Sequence, residues 1–223
     1  MDSKVVSRAI KAEVWPLLRD AGFSVFSPRT AWRQHFNRVD VFSFQSFNAY
    51  NAGVIGCTTS SFSVRLGCFL LVVPPEHAPS RLKSKGGVLI PHEHECQFRG
   101  SLARTFQQPE LERTDIWYVS PDGASLSRSI QDVRTQYAAH AAPWYAQFGS
   151  LEHVLDILEH RDEDMDRLWG FGRNPSPMRS YLSGYVARAL GQGELARARL
   201  ASALQSGCFP QFSEQLAVHA AET

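Results

Sequence analysis

Within residues 30–73, a hairpin-like pair of runs and a third run over 62–73 read as strands, which predicts that this stretch supplies the spine of one sheet. Trp32 and Phe36 alternate with Arg33 and His35, and a second run, 39–47, follows Asn37-Arg38, a pair that reads as a tight hairpin turn. In that second run Phe42 and Phe44 share one face, while Val41, Ser43 and Gln45 share the other. Phe62, Val64 and Leu66 then alternate with Ser63, Arg65 and Gly67. From Cys68 to Val73 both faces turn apolar, which predicts burial on both sides. The whole reads as the spine of an antiparallel sheet. Residues 48–61, between the strands, show no clear period and read as a long loop, with Tyr50 near its centre. A loop of that length in a compact domain usually has a task.

Helical spacing flanks this spine. Val6, Ile10, Val14, Leu17 and Ala21 form one apolar stripe, Pro16 predicts a kink, and Gly22-Phe23 fits a helix end with a hydrophobic fold-back. Residues 88–90, 94–98 and 116–119 read as short strands, and Pro121-Asp122-Gly123 as a turn. Leu126, Ile130, Val133, Tyr137 and His140 predict a helix that Pro143 should break, before a short aromatic turn of Trp144, Tyr145 and Phe148. Ser150 can cap a further helix carrying Leu151, Val154, Leu155 and Leu158.

A charged run over 160–167 and the breaker sequence 170–175 mark a boundary. Beyond it, Ser176-Pro177 opens a helix, Gly191-Gln192-Gly193 turns the chain, and a second helix carries Leu195, Ala198, Leu200, Ala203 and Leu204. Gly184, Ala187, Gly191, Ala196, Leu200 and Ala203 are spaced as in one tetratricopeptide helix pair. Arrays of such pairs need about three or more repeats, so a lone hairpin is expected. The expected fold is α+β: an antiparallel sheet of about five or six strands flanked by helices over 1–169, with a C-terminal helical hairpin over 170–223.

Composition narrows the function classes. Twenty-three basic against 22 acidic side chains leave a formal charge of +1, whereas nucleic-acid binders usually carry a basic excess; only Arg81, Lys83 and Lys85 form a small basic cluster. The longest apolar run, 68–73, is far short of the roughly 20 residues a spanning helix needs, so no membrane association is expected. The first residues, Met1-Asp2-Ser3-Lys4, have no apolar core of the signal-peptide kind. The expected setting is the cytoplasm, where Cys57, Cys68, Cys96 and Cys208 would be reduced thiols.

Two groups of residues suggest a site. His92-Glu93-His94-Glu95-Cys96, if extended, would aim His92, His94 and Cys96 to one side, a ligand set that suits zinc, with His77 or Cys68 to complete it. The competing reading is an edge strand whose polar side chains face water, or a buried cysteine acting as a small hydrophobe. Arg33, Gln45, Arg65 and Arg99 lie on otherwise apolar strands; converging on one face, the arginines would grip a carboxylate or phosphate. The competing reading is the solvated face of an ordinary antiparallel sheet. The acidic run Asp162, Glu163, Asp164 and Asp166 reads as a solvated helix face, since consecutive carboxylates point in different directions. No nucleophile elbow and no phosphate-binding loop is present, and no catalytic constellation is evident.

Several short strings resemble a known family. Pro16-Leu17-Leu18-x-x-x-Gly22-Phe23, Trp32-Arg33, Phe44-Gln45, Phe62-Ser63-Val64-x-Leu66-Gly67, Cys96-x-x-Arg99, Asp115-Ile116-Trp117 and Pro143-Trp144-Tyr145 fall in the order seen in bacterial proteins grouped as domain of unknown function 4304. The likeness covers roughly 5–160. The Arg-x-Arg expected at Arg99 is absent, Ser101 occupying the second place. The resemblance implies an α+β fold, no established activity, and a likeness to small bacterial cytosolic partner proteins, toxin-immunity proteins among them. It carries no catalytic residues and no cofactor. The expectation is a non-enzymatic module that binds another protein, with Tyr50 in its contact surface, and the metal or anion site is the alternative.

Overall fold

The expected spine is present as a five-stranded sheet in the computed structural model, which describes residues 3–75, 82–161 and 174–222. The strands are β1 (Val25–Phe26), β2 (Thr30–Gln34), β3 (Arg38–Ser46), β4 (Phe62–Leu70), a separate small hairpin of β5 (Ser84–Lys85) and β6 (Val88–Leu89), and β7 (Phe98–Ser101). The large sheet has the order β1-β2-β3-β4-β7, and its strands run antiparallel. The helices are α1 (3–20), α2 (Ala49–Ile55), α3 (126–146), α4 (Leu151–His160), α5 (Pro177–Ala189), α6 (Gly193–Gln205) and α7 (Ser213–Glu222). His77, Arg81, the acidic run 162–166 and the breaker residues 170–173 lie outside the described residues.

The hairpin turn falls one residue earlier than Asn37-Arg38. Gln34 pairs with Val39, His35 N–H donates to Arg38 O at 2.8 Å, and Phe36-Asn37 makes the turn. No residue other than glycine has a positive φ among the described residues, so Asn37 is not used for that conformation. Arg38 instead begins β3 as a buried residue, and Phe36 stands fully exposed on the turn at 103%.

Two prolines are absorbed in the same way. Helix α1 changes from α (Ser3–Ala9) to a π-turn (Ile10–Val14) and back to α (Trp15–Asp20), with Trp15 N–H bonded to Ile10 O. Pro16 offers no N–H and its ring crowds the carbonyl four residues before it; the wide turn just ahead accommodates both defects. Helix α3 repeats the device: Leu126–Gln136, a π-turn Tyr137–Ala141 with Ala142 N–H on Tyr137 O, then Ala142–Ala146. Pro143 therefore widens the helix and does not break it. The end of α1 is as expected, with Gly22 at φ +89°, Gly22 N–H on Arg19 O and Phe23 N–H on Leu18 O, both 2.9 Å.

Helices α1 and α3 cover one face of the sheet. Val6, Ile10, Val14 and Leu18 pack with Phe42, Phe44, Phe62, Val64 and Leu66 and with Ile130, Val133 and Tyr137. The aromatics meet edge to face: Trp15 on Phe44, Phe44 on both Phe42 and Phe62, and Phe42 on Tyr137. Such pairs add roughly 0.5–1.5 kcal/mol each beyond area burial. The opposite face holds a smaller cluster of Trp32, Val39, Val41, Phe69 and Cys96, against which Leu82, Leu89 and Ile90 pack. Trp32 Nε1 donates to Pro91 O at 2.8 Å there.

The strand expected over 116–119 is reduced to a single bridge, Phe62 with Trp117. The ladder does not extend from there because side chains take the next backbone groups: Val119 N–H donates to Ser61 Oγ at 3.0 Å and Val119 O accepts from Thr58 Oγ1 at 2.6 Å, while buried Arg104 fastens the segment by donating to the carbonyls of Phe106, Leu111 and Ile116. Asp132 of α3 completes the anchorage by accepting from Trp117 Nε1 at 2.9 Å and from the Thr105 hydroxyl. The strand expected over 94–98 begins later, at Phe98.

Residues 48–61 are not a loop throughout. Asn48 accepts from Asn51 N–H at 2.7 Å as the N-cap of α2, and Gly56 at φ +81° ends it. Only Ala52 of this helix is buried, so it leaves no periodic apolar stripe in the sequence.

The chain divides into two compact units, 1–69 with 77–145, and 70–76 with 146–223. Helix α4, placed by the sequence reading before the 169/170 boundary, belongs to the helical unit. Within that unit, buried Arg179 ties α5 to α4, donating to Leu158 O at 2.6 Å and Arg161 O at 3.0 Å at the end of α4. In the expected hairpin of α5 and α6, a Cβ on Gly184 would stand 2.6 Å from Leu200 Cδ2 and 3.1 Å from Leu200 N, so the close crossing requires glycine there. A third helix, α7, extends the hairpin.

Candidate functional site

Helix α2 presents two highly exposed large apolar side chains, second among the described residues only to Phe36 on the hairpin turn. Tyr50 is 78% and Val54 72% exposed. They stand one helical turn apart, at i and i+4, and so share a face. The caps at Asn48 and Gly56 hold the helix without help from either side chain. A buried Tyr or Val contributes about 1.5–3 kcal/mol of burial free energy, which these two forgo.

The four strand residues expected to converge do not all do so. Arg33 belongs to the helix-covered face. Its guanidinium lies 4.8 Å from the Phe23 ring centroid and 5.4 Å from that of Tyr145, and its Nη1 donates to Ala21 O at 2.7 Å. It also pairs with Asp40 through Nε at 2.9 Å and Nη2 at 2.7 Å. Asp40, fully buried, further contacts His35 Nε2 and accepts from Arg38 Nε, both at 2.9 Å. Burial pushes the Asp40 carboxyl up, but His35, Arg38 and Arg33 outweigh it and hold the group below the ordinary carboxylate value. The donors of Arg33 are spent on this internal network, which fastens the β2–β3 hairpin to the end of α1.

Gln45 and Arg99 do come together, on the opposite face, through a residue the sequence reading passed over. Buried Glu93 accepts from Gln45 Nε2 at 3.1 Å and from Arg99 Nε at 3.0 Å. Arg65 turns to Asp115, 3.4 Å away, which Arg113 also grips at 2.7 Å. Burial raises the Asp115 carboxyl, and the Arg113 hydrogen bond with the charges of Arg113 and Arg65 brings it below its ordinary value. Each arginine on this face thus meets a carboxylate of the protein's own.

The segment 92–96 is a 3₁₀ turn (Glu93–Glu95), so strand alternation does not apply to it. Glu95 Oε2 accepts from the His92 N–H at 2.6 Å, and the Glu95 N–H donates to His92 O at 3.0 Å, which closes the turn. The His92 and His94 rings stack in parallel with centroids 5.3 Å apart. Cys96 points away from them into the apolar cluster, and its Sγ donates to His92 O at 3.5 Å. Burial pushes the Cys96 thiol well above its ordinary value, and Glu93 and Glu95 push it the same way. Burial likewise raises Cys68. Both therefore behave as small buried hydrophobes and not as ready thiolates. Among the described residues no three His, Cys, Asp or Glu side chains assemble into a set that could hold a metal ion. No helix among them is long and apolar enough to cross a membrane.

The unit that carries the sheet ends at Tyr145, and a family model described as Domain of unknown function (DUF4304) matches residues 14–147. The chain belongs to the DUF4304 family. No curated protein and no solved structure matches it. The match covers the sheet, α2 and α3 and stops before α4. The DUF4304 strings in this chain are largely structural ties: Gly22-Phe23 ends α1, Gln45 and Arg99 hold Glu93, Trp117 binds Asp132, and Trp144 lies against Gly100. Tyr145 of α3 donates its hydroxyl proton to Val41 O of β3 at 2.6 Å.

Proposed function

We propose that this DUF4304 protein is a non-enzymatic module that binds another protein through the exposed face of α2. The observation that carries the reading is the Tyr50–Val54 pair, two large apolar side chains turned to solvent on a helix that is capped at both ends. Aromatic side chains are enriched at the centres of protein interfaces, because they bury much area at little entropic cost. A capped helix also has its contact residues ordered before contact, which lowers the cost of binding. An immunity-type role, in which one partner is occupied and blocked, is a form of this reading that a rigid presenting helix supports. The setting we assign is the bacterial cytosol, which suits the four free thiols.

The test is site-specific photo-crosslinking in cells of the source organism. A photoreactive phenylalanine analogue replaces Tyr50, and in a parallel strain it replaces Ser127, an exposed residue of α3. The reading expects one discrete heteromeric adduct at position 50 that is missing at position 127 and disappears when Val54→Glu is added. The same diffuse adducts at both positions would overturn it.

A further inference from the structure

We infer that Gly53 marks where the partner's main chain lies against α2, and that the segment seated there, beside Tyr50 and Val54, is uncharged. This rests on the α2 reading above and narrows the partner it takes.

One glycine of the sheet-bearing unit has no use inside the chain. Eight glycines fall in that unit, and its own geometry accounts for seven. Gly22, Gly56, Gly86, Gly87 and Gly123 take a positive φ, between +59° and +89°, that a side chain would strain. A Cβ on Gly67 would stand 2.6 Å from Cys96 Sγ, and one on Gly100 would stand 3.1 Å from Trp144 Cε2, so packed side chains exclude it at both. Gly53 has neither reason. It lies inside α2 without a positive φ, and a Cβ there would meet nothing within 4 Å. Glycine in a helix interior destabilises the helix relative to alanine, because it gives up more backbone freedom on folding. Helix α2 has only seven residues, a length at which helices are marginal. An open, exposed position of a short helix is thus held by a residue that weakens it.

The missing Cβ allows close approach from outside. Gly53 is one turn on from Tyr50 and next to Val54, so it forms a notch at the flank of that pair. A partner side chain has no need of the notch, since its tip can rotate away from a methyl group. A partner main chain cannot move aside in that way, because its own hydrogen bonds fix it.

Charge narrows the occupant further. Residues 41–64 contain no Asp, Glu, Lys, Arg or His. Nothing in this stretch can pair with a charge brought against it, and burying an unpaired charge is costly. The segment that fits is a main chain carrying small or apolar side chains, as at the centre of an interface.

The experiment measures the calorimetric affinity of the full chain for the protein captured at position 50, comparing wild type, Gly53→Ala and Gly53→Leu, and records each thermal midpoint. Gly53→Ala should raise the midpoint by about 1–4 °C, as a gain in helix propensity does in a chain of this size. The same variant should weaken binding at least about fivefold, and Gly53→Leu should weaken it further at a midpoint no lower than wild type. Undiminished affinity in either variant would overturn the inference and leave the α2 surface standing. A lowered midpoint in Gly53→Ala would show that the fold itself uses the glycine, which overturns it as well. No discrete adduct at position 50 would remove the surface and the inference together.

Discussion

Phe44 and Tyr50 are close in sequence and meet opposite environments. Phe44 is buried among Trp15, Phe42 and Phe62 on the helix-covered face, while Tyr50 stands on α2 with most of its surface in solvent. Both are large aromatics, so hydrophobicity alone does not separate them. The difference lies in what holds the surrounding backbone. Around Phe44 the strand is held by side-chain burial, and removing that burial should be felt by the whole fold. Around Tyr50 the helix is held by Asn48 and Gly56, and most of the side chain faces solvent. A residue that stabilises nothing at home, yet presents about the largest apolar area on its element, is where a contact surface is to be sought.

That contrast can be broken at several points. The largest effect is expected at Asp40. Asp40→Ala leaves Arg33 and Arg38 facing each other without their buried carboxylate, and the variant should lose about 3–5 kcal/mol in chemical denaturation. A loss below about 1 kcal/mol would show that the network is dispensable. The same residue fixes a sign for pH. The folded Asp40 carboxyl lies below its unfolded value of about 3.9, so its stabilisation is complete above that pH and fades as pH falls toward the folded value. The gap in thermal midpoint between wild type and Asp40→Asn should accordingly be widest near neutrality and shrink below about pH 4. A gap that widens on acidification contradicts the assignment.

Gly184→Ala comes next, because its new Cβ meets Leu200 at less than contact distance, backbone included. A cost of about 1–3 kcal/mol, read as a lower denaturation midpoint, is expected. An unchanged midpoint would mean that α5 and α6 can separate freely. Glu93→Gln keeps the shape of the side chain but weakens the bond from Arg99, and about 1 kcal/mol should be lost. Increased stability in that variant would make Glu93 a buried charge retained for something other than folding.

Much of the fold was legible because side-chain burial leaves a period. The alternation of Phe42, Phe44, Phe62, Val64 and Leu66, the Gly22-Phe23 helix end, and the caps at Ser150 and Ser176 all appear where the pattern puts them. Helix α2 was illegible by that route, since a helix burying only Ala52 has no stripe to read. Its punctuation was nevertheless there: Asn48 and Gly56 are a capping residue and a terminator at the right separation. Pro143 misled because a proline can be accommodated by a π-turn, and the same device at Pro16 shows that the chain uses it twice.

The arginine group was partly legible. A two-residue turn pairs odd positions of β2 with even positions of β3, as Arg33 with Asp40, and this parity alone separates Arg33 from Gln45. Glu93 was hidden because the His-Glu-His-Glu-Cys run invites a period of two, whereas the Glu95 side chain on His92 N–H folds it into a turn. The capping-box spacing between His92 and Glu95 was the available signal.

The smallest effect on stability is expected at the residue on which the proposed function depends. Tyr50→Ala should change unfolding free energy by less than about 0.5 kcal/mol, since an exposed side chain gives up little on truncation. The decisive measurement pairs that thermal midpoint with calorimetric affinity for the protein captured at position 50. The account predicts an unchanged midpoint and an affinity weakened at least about thirtyfold, as for an interface anchor worth about 2 kcal/mol. Full affinity in Tyr50→Ala at an unchanged midpoint would contradict it.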